Sequence, residues 1–283
     1  MTAVASAPAS SANLGPGFDV VALALDLRCR VTVAPSREWS VISTGSDAGS
    51  LVVVQQAAEA AGPGIGPLLV EVESGIPVGC GLGSSAALIV AVVAATRAAA
   101  GMDLARDALL VTAAAVEGHP DNVAAAVCGG AVAVSAGGRV HPLEVHPSLR
   151  VLVAVPDATL STPEARRALE GPVDTGISAR TAARLLFLAE GLRTGSADLL
   201  REAAGDELHE ARRAHLSPRT GALVREARAA GALHAAWSGA GPSVVAVTNE
   251  SMLPEVRNAL ESGVGAGGVV LAPGIDREGV RIG

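Results

Sequence analysis

The most informative stretch of this chain is PVGCGLGSSAA, which occupies residues 77–87. An Ala-rich run follows it to about Ala100, and this run predicts a helix with Ser84 or Ser85 as its N-cap. The glycines let successive backbone N–H groups converge, and the helix directs the positive end of its dipole at the same point. The segment therefore predicts an anion-binding loop. It is neither a P-loop, because it lacks a lysine, nor a dinucleotide fingerprint, because its glycines follow a GxGxG spacing.

The elements around this loop can be predicted from hydrophobic pattern and capping residues. Upstream, strands are predicted over Val20–Val33 and Leu68–Val72. Downstream, a helix runs from an Asp103 cap to about Glu117, and Pro120 opens a shorter helix that Gly129-Gly130 closes. The loop is thus followed by three helices in succession.

Past Gly130 the pattern changes to a mixture of strands and helices. Strands are predicted over Ala131–Ser135, Val140–Val145, Leu149–Val155, Ser243–Thr248 and Gly268–Leu271, with helices over most of Ser178–Arg228, broken near Gly195-Ser196, and from near Pro254. Helices and strands do not alternate regularly, which predicts an α+β fold in two halves. We place the boundary near residues 137–148 and expect domains over 1–145 and 146–283.

Composition excludes several classes of protein. The chain of 283 residues is 49% hydrophobic with a net charge of −7, so it has material for a large core and no general attraction for nucleic acid. All 21 basic residues are arginine, which excludes mechanisms that need a P-loop, protein-kinase or Schiff-base lysine. The longest apolar run, residues 86–95, is too short to span a bilayer. The N-terminus has no basic region of a secretory signal, and Cys29, Cys80 and Cys128 have no metal-ligand spacing, so we expect a cytoplasmic protein.

Two further glycine-rich segments could carry chemistry. PASSANLGPGFD, residues 8–19, combines small residues with the polar groups of Asn13 and Asp19, which suits close contact with a ligand. The alternative for this segment is an ordinary loop before a strand. SGAGPS, residues 238–243, precedes a late strand, and its alternative is a tight turn that closes a hairpin. Neither segment decides the function alone.

Taken together and in this order, the three segments resemble the signature motifs of the GHMP small-molecule kinase superfamily. Three other stretches are similar to its homoserine kinase branch: EGHPDN at 117–122, STPEAR at 161–166, and the pattern Arg213…Leu216…Pro218. The resemblance covers roughly residues 5 to 245. It implies a two-domain α+β fold, with an N-terminal half like the second domain of ribosomal protein S5 and a ferredoxin-like C-terminal half.

The resemblance also implies a site for ATP and Mg²⁺. The ATP-binding positions are Pro77, Gly79, Cys80, Gly81, Leu82, Gly83, Ser84 and Ser85, together with Gly239 and Gly241. Ser85 and Glu117 match the Mg²⁺ positions, and Mg²⁺ prefers hard oxygen ligands while keeping waters and phosphate oxygens. Two positions depart from the family pattern: Ser50, within residues 47–52, replaces an Asn near the nucleotide base, and Cys80 lies within the phosphate loop. If Cys80 is exposed, we expect its alkylation to block the site.

The implied substrate site is built from polar residues that the family uses around homoserine. These are Asn13, Asp19, His119, Asp121, Asn122, Thr162, Arg166 and Arg213. A carboxylate suits the substrate ammonium, and the planar fork of Arg166 or Arg213 suits its carboxylate. The implied catalytic residues are Asn122, Ser85 and Glu117, and since Asn cannot take a proton, we expect catalysis without a dedicated side-chain base. The histidines His141, His146, His209, His215 and His234 are given no role.

The function expected from this resemblance is ATP- and Mg²⁺-dependent phosphorylation of L-homoserine to O-phospho-L-homoserine, in threonine biosynthesis. The enzymatic alternative is a kinase of the same superfamily that acts on another hydroxy acid, such as mevalonate or shikimate. The alternative from another class is a sensor that binds the nucleotide without catalysis. The family also implies a possible homodimer.

Overall fold

A computed structural model describes residues 1–45 and 50–283 of the chain. The strands found within these residues are β1 Ala3–Asn13, β2 Gly17–Pro35, β3 Ser40–Gly45, β4 Leu68–Ser74, β5 Ala131–Val134, β6 Val140–Leu143, β7 Leu149–Val155, β8 His234–Trp237, β9 Val244–Asn249, β10 Val269–Leu271 and β11 Arg281–Ile282. The helices are α1 Leu51–Ala61, α2 Ser84–Ala100, α3 Arg106–Glu117, α4 Pro120–Cys128, α5 Thr162–Arg167, α6 Thr175–Thr194, α7 Ala197–Glu202, α8 Glu210–Arg213, α9 Pro218–Ala229 and α10 Leu253–Val264.

The strands form two sheets. The first has the strand order β11-β1-β2-β4-β3. In the same sheet, β5 pairs with β2 on one side and with β6 on the other. All of its pairs are antiparallel except β3 with β4. The second sheet has the order β10-β7-β9-β8 and is antiparallel throughout. Along the chain, strand β7 is followed by helices, then by β8 and β9, then by α10 and β10. This β-α-β-β-α-β order is the ferredoxin-like arrangement. The predicted α+β class is confirmed.

Helix α2 is the centre of the first half and places the glycine-rich loop. Its residues 86–96 are all buried, and it packs against β1, β2, α1 and α3. A helix that is apolar on every side needs neighbours all round, and the sheet and helices supply them. The N-terminus of α2 is therefore held rigidly beside the end of β1.

The predicted caps differ from the observed ones. Gly83, not Ser84 or Ser85, is the N-cap of α2, and its φ of 63° lies in the left-handed region that glycine adopts without strain. Both serines are helical residues, so their hydroxyls are not used for capping. Helix α3 begins at Arg106 rather than at Asp103, whose carboxylate accepts a hydrogen bond from the Ala105 amide before the helix begins.

Several elements are not anticipated by the sequence pattern. The N-terminal segment of residues 8–13 is not a loop but the end of the long strand β1. Strands β3, β8 and β11 and helices α1 and α5 are also absent from the prediction. The two sheets separate between Leu143 and Leu149, except that β11 returns to the first sheet. Division into domains at residues 145 and 146 stays a prediction.

Candidate active site

One cavity collects the predicted functional residues. It is lined by residues from the end of β1, the start of α2, the region between α3 and α4, the start of α5, helix α8 and the segment after β8. The predicted residues that line it are Asn13, Asp19, Pro77, Gly79, Gly81, Leu82, Gly83, Ser84, Ser85, Glu117, His119, Asp121, Asn122, Thr162, Arg166, Arg213, Gly239 and Gly241. Cys80 is the one predicted site residue that does not line it.

The phosphate loop presents its backbone N–H groups to the cavity because its carbonyl groups are bound elsewhere. The carbonyls of residues 79–82 accept hydrogen bonds, in order, from Leu160 N (3.2 Å), Ser243 N (3.3 Å), Ser238 Oγ (2.7 Å) and Ser10 N (3.0 Å). By contrast, no backbone N–H of residues 79–86 donates to any described residue. Unpaired amides at a helix N-terminus attract anions, so the loop is suited to an anionic group.

The segment SGAGPS forms the tight turn that was its alternative, and it also supports the phosphate loop. It connects β8 to β9 in an antiparallel hairpin, as a tight turn would. At the same time its two terminal serines, Ser238 and Ser243, hold carbonyls of the phosphate loop. The Ser238 hydroxyl also lies 2.9 Å from Ser11 Oγ on β1. The three glycine-rich segments therefore contact one another directly.

The side chain of Cys80 is buried and does not line the cavity. The residue is 7% exposed, and its Sγ lies 3.3 Å from the Val78 carbonyl oxygen. Burial raises the pKa of the Cys80 thiol, which disfavours the reactive thiolate. The condition set for alkylation, an exposed Cys80, is therefore not met. At this position only the backbone N–H group, which has no acceptor among the described residues, is available to a ligand.

Ser85 and Glu117 form a pair at the edge of the cavity. Ser85 Oγ donates to Glu117 Oε2 over 2.7 Å, although the residues are 32 positions apart. Burial raises the pKa of Glu117, the Ser85 hydrogen bond lowers it, and the nearby Asp121 raises it. No group of three or more His, Cys, Asp or Glu side chains suitable for a metal exists among the described residues. A hydroxyl and one carboxylate beside a phosphate loop fit Mg²⁺, which takes its remaining ligands from phosphate and water.

Asn122 is oriented by a hydrogen bond from β1. Its Oδ1 accepts from Ser10 Oγ over 2.8 Å, so its NH₂ group is left without an acceptor among the described residues. The neighbouring Asp121 is buried, and its Oδ1 accepts from the Asn122 backbone N–H over 2.8 Å. Burial raises the pKa of Asp121 more than this hydrogen bond lowers it. Asn122 therefore offers the cavity a donor.

Asp19 and Arg166 form a two-pronged ion pair on the other side of the cavity. Arg166 Nη2 lies 2.9 Å from Asp19 Oδ1, and Arg166 Nη1 lies 3.1 Å from Asp19 Oδ2. Asp19 has a φ of 54°, which is unusual for a residue other than glycine. Its backbone N–H donates to Asn13 Oδ1, while Asn13 Nδ2 donates to the buried carbonyl of Gly239. The Asp19 carboxylate is thus held in place by contacts from both halves of the chain.

Arg213 is a buried cation without a carboxylate partner. It is 2% exposed and forms no ion pair with any residue in the described part of the chain. Its Nε donates to the Ala165 carbonyl over 3.0 Å, and Nη1 lies 3.2 Å from His209 Nδ1 and 3.4 Å from the Gly239 carbonyl oxygen. Burial and the charge of Arg166 lower its pKa to about 10. The charges of Asp19, Asp206 and Glu210 raise this pKa, but none of the three forms an ion pair with Arg213. A buried charge without a direct partner is costly, so this site favours an anionic ligand.

Sequence reasoning missed two residues that shape this side of the cavity. Phe18 lies beneath both guanidinium groups, with its ring centroid 5.8 Å from Arg166 Cζ and 5.4 Å from Arg213 Cζ. His209 stacks on the same ring, with centroids 5.1 Å apart. Phe18 directly precedes Asp19, and His209 precedes Arg213 by four residues in the sequence, the separation at which side chains share a helix face. These spacings are the signals that could have identified them.

Three predicted positions have no side-chain hydrogen bond to a described residue that would define a role. His119 is the N-cap of α4 but does not use its side chain for capping, and Thr162 opens α5 after the Ser161 cap. Ser50 precedes α1, is exposed and does not line the cavity. Of the segment 47–52, residues 47–49 lie outside the described residues, and Leu51 and Val52 open helix α1.

Comparisons with known proteins agree on one family. The family model described as GHMP kinases N terminal domain matches residues 50–130, and the one described as GHMP kinases C terminal matches residues 188–273. A homoserine kinase from a Synechococcus strain is 38% identical over 95% of this chain and 90% of its own length. One from Deinococcus radiodurans is 39% identical over 84% of this chain and 82% of its own.

A solved structure gives the same result for the fold. The crystal structure of homoserine kinase from Cytophaga hutchinsonii superimposes with a TM-score of 0.86 at 27% identity, covering 99% of this chain and 97% of that one. The similarity therefore extends over both halves of the molecule.

None of the helices described for this chain is long and apolar enough to cross a membrane.

Proposed function

Because the chain belongs to the GHMP kinase family, with homoserine kinases among its similar relatives, we propose that it phosphorylates L-homoserine. In this reaction the side-chain oxygen of homoserine attacks the γ-phosphorus of ATP, and the bond to the β,γ-bridging oxygen breaks. The products are O-phospho-L-homoserine and ADP, and the hydroxyl proton is released. The reaction is a step of threonine biosynthesis. The observation that carries the proposal is the unpaired cation Arg213 facing the same cavity as the phosphate loop.

The charges across the cavity suit an amino acid in its zwitterionic form. Arg213 and Arg166 offer N–H donors to a carboxylate, and Asp19 offers an acceptor to an ammonium group. Without ligand, Asp19 and Arg166 bind each other. An entering zwitterion replaces this ion pair with two, one between its ammonium group and Asp19 and one between its carboxylate and the arginines. Mevalonate and shikimate lack the ammonium group and would leave Asp19 without a new cation. This asymmetry favours homoserine over the hydroxy acids as acceptor.

Asn122 is the residue we assign to the reacting hydroxyl. Since Ser10 occupies its Oδ1, its NH₂ group can donate to the substrate oxygen and orient a lone pair toward phosphorus. Phosphoryl transfer through a loose transition state needs positioning and charge stabilisation more than strong activation of the nucleophile. The phosphate-loop amides supply donors to the transferring group, and the proton leaves to a phosphate oxygen or to water. We therefore propose catalysis without a side-chain base.

Asp121 is the residue that could contradict this mechanism, because it is a buried carboxyl next to Asn122. A base must be ionised to accept a proton, so a reaction that needed Asp121 would accelerate as pH rises through its pKa. Burial raises that pKa, which places such an acidic limb above the ordinary aspartate range. We expect Asp121→Asn to keep the wild-type shape of the kcat–pH profile at saturating homoserine. An acidic limb that disappears in the variant, with a loss of roughly 10²–10⁴-fold in kcat, would instead identify Asp121 as the base.

Ser85 and Glu117 are the residues we assign to Mg²⁺. When bound there, the ion would neutralise charge on the phosphates and stabilise the transferring group. Their oxygens already lie 2.7 Å apart at the edge of the phosphate loop. The Ser85 hydroxyl can release Glu117 and turn a lone pair to the ion. ATP and Mg²⁺ are therefore the proposed cofactors.

Replacing Glu117 with glutamine tests this assignment. The amide keeps the shape and the hydrogen bond to Ser85 but lacks the negative charge, so the Mg²⁺ concentration for half-maximal rate should rise on the order of tenfold. The measurement is the rate against free Mg²⁺ at saturating ATP and homoserine. Glu164→Gln is a matched control, because Glu164 is an exposed carboxylate outside the cavity. An unchanged Mg²⁺ dependence in Glu117→Gln would place the metal elsewhere.

The experiment that tests the function as a whole is an ADP-release assay with purified protein and Mg²⁺-ATP. Homoserine should accelerate ADP release and yield a phosphorylated amino acid detectable by mass spectrometry. Mevalonate and shikimate should leave the rate near that without acceptor. Equal rates with all acceptors, or with none, would reject homoserine as the substrate, and nucleotide binding without any turnover would favour the sensor.

Two further proposals follow from family membership rather than from the site. We propose a cytoplasmic location, as expected for a biosynthetic enzyme that uses ATP. We also propose a homodimer, which sedimentation at several protein concentrations would test. Neither proposal is needed for the chemistry assigned to the cavity.

A further inference from the structure

We propose that His209 is a positioning residue that couples the two charged arms of the substrate site, because its ring joins Arg213 to the turn that carries Asp19. This inference rests on the function proposed above and extends it to a residue that contacts neither ATP nor the substrate. His209 is fully buried and does not line the cavity. Its two ring nitrogens contact two different parts of the site.

The partners of the ring define its protonation. Nδ1 lies 3.2 Å from Arg213 Nη1, and since a guanidinium can only donate, Nδ1 must accept. Nε2 lies 2.9 Å from the carbonyl oxygen of Gly15, which can only accept, so Nε2 must carry the proton. His209 is therefore neutral with its hydrogen on Nε2. Burial has the largest effect on its pKa and lowers it, and the charge of Arg213 lowers it as well. Asp206, whose Oδ2 lies 3.8 Å from Nε2, raises this pKa, as do the Gly15 hydrogen bond and Asp19. The neutral form is therefore assigned from the geometry, because a proton on Nδ1 would face the guanidinium of Arg213.

The Gly15 end of this bridge lies in a turn that holds an uncommon conformation. Asn13 and Leu14 have φ values of 73° and 46°, in the left-handed region that residues other than glycine seldom adopt. Such a turn persists only where the surroundings hold it. The carbonyl of Leu14 is held by buried His234 over 2.9 Å, and the next carbonyl, that of Gly15, is held by His209. Phe18 and Asp19 follow after Pro16 and Gly17, and the Asp19 backbone N–H is bound back to Asn13 at the start of this turn.

The Arg213 end of the bridge determines where the guanidinium points. The Ala165 carbonyl binds Nε and the Gly239 carbonyl lies 3.4 Å from Nη1, while Nη2 has no acceptor among the described residues. With Nη1 held by His209, Nη2 is left for the ligand. The His209 ring also stacks on Phe18, which lies against both Arg213 and Arg166. One imidazole thus sets the distance between the carboxylate-binding and ammonium-binding groups.

Two substitutions separate the two bonds of the ring. In His209→Asn, the short side chain can place Oδ1 near the position of Nδ1, which keeps an acceptor for Arg213 but loses the bond to Gly15. In His209→Gln, the longer side chain can place its NH₂ near the position of Nε2, which keeps the bond to Gly15 but loses the acceptor for Arg213. Two substrate analogues report on the two arms: 3-amino-1-propanol lacks the carboxylate, and 4-hydroxybutyrate lacks the ammonium group.

The expected result is a crossed pattern in kcat/KM. In His209→Gln the preference for homoserine over 3-amino-1-propanol should fall on the order of tenfold, because Arg213 loses its orientation. In His209→Asn the preference for homoserine over 4-hydroxybutyrate should fall by a similar factor, because Asp19 loses its anchor. The KM for ATP should stay within about threefold of wild type in both variants. Equal losses with all three acceptors, or no loss in either variant, would overturn the proposal and leave His209 a purely structural residue.

A measurement without substrate separates failure of this inference from failure of the proposed function. ¹⁵N NMR of the histidine rings in the wild-type protein should show His209, assigned by its absence in His209→Asn, as a neutral ring with the proton on Nε2 at neutral pH. A charged ring, or a proton on Nδ1, would overturn the coupling whatever the substrate is. The expected tautomer together with no turnover of homoserine would reject the function and keep the bridge between Arg213 and the turn.

Discussion

Replacement of Gly81 with alanine is expected to lower kcat/KM for ATP by about a hundredfold, the loss that accompanies misplacement of reacting groups by roughly 1 Å. Gly81 has a φ of 76°, and an alanine Cβ there would overlap the carbonyl oxygen of Ser238 and lie 2.9 Å from that of Gly241. Both obstacles are backbone atoms, which cannot rotate away as a side chain could. The phosphate loop must therefore shift away from the SGAGPS segment, and its N–H groups shift with it.

The control for this prediction is Gly75→Ala. Gly75 lies just before the same loop, yet an added Cβ would meet nothing within 4 Å. Its kcat/KM should remain close to that of the wild type, and both variants should be compared with it by thermal denaturation. If Gly81→Ala binds and uses ATP like the wild-type protein, the loop does not hold phosphate through its backbone.

Replacement of Arg213 with alanine is expected to raise the KM for homoserine roughly ten- to a hundredfold, which corresponds to loss of a charge-assisted hydrogen bond. The KM for ATP should change far less. The physical reason is that Arg213 is buried without a carboxylate partner, so its charge is available to the ligand. Steady-state kinetics with each substrate varied in turn measures both constants.

The neighbouring Arg212 provides a matched control within the same helix. Its Nη2 donates to the Glu170 carbonyl over 2.7 Å, and the residue does not line the cavity. Arg212→Ala should leave the KM for homoserine within about threefold of wild type, as expected for a surface substitution. Equal increases in both Michaelis constants for Arg213→Ala would mean that this arginine supports the fold rather than the substrate. A larger effect from Arg212→Ala would show that the register had been misassigned by one residue.

Local pattern was sufficient for the elements that surround the phosphate loop. A short apolar run predicts the strand Leu149–Val155 with the bounds that the structure has, and Pro120 with Gly129 marks both ends of α4. These signals work because capping, turn formation and the burial of one face depend on residues close together in sequence. The predicted N-cap of α2, Ser84 or Ser85, is wrong by one or two residues because a left-handed Gly83 ends the loop, where the pattern favoured a serine hydroxyl.

The N-terminal segment shows where local pattern fails. Residues 8–13 contain small and polar side chains, which have no marked preference for strand. They form a strand because β2 pairs with them on one edge and α2 covers them. Strand pairing of this kind depends on contacts between distant residues, and burial of Ser10 and Ser11 is tolerated because Asn122 and Ser238 bind their hydroxyls.

By itself, the sequence determined which chemical groups this protein possesses: a glycine-rich anion loop, no lysine, and the motifs that carry Glu117, Asp121 and Arg213. Only the tertiary structure decided how those groups are aimed. It pairs Asp19 with Arg166 across 147 positions, turns the Asn122 amide by a bond from Ser10 across 112 positions, and leaves Arg213 unpaired at the cavity. The reason is physical: a residue's type states what it can donate, accept or carry as charge, whereas its partner, burial and direction depend on which distant segments the fold brings beside it.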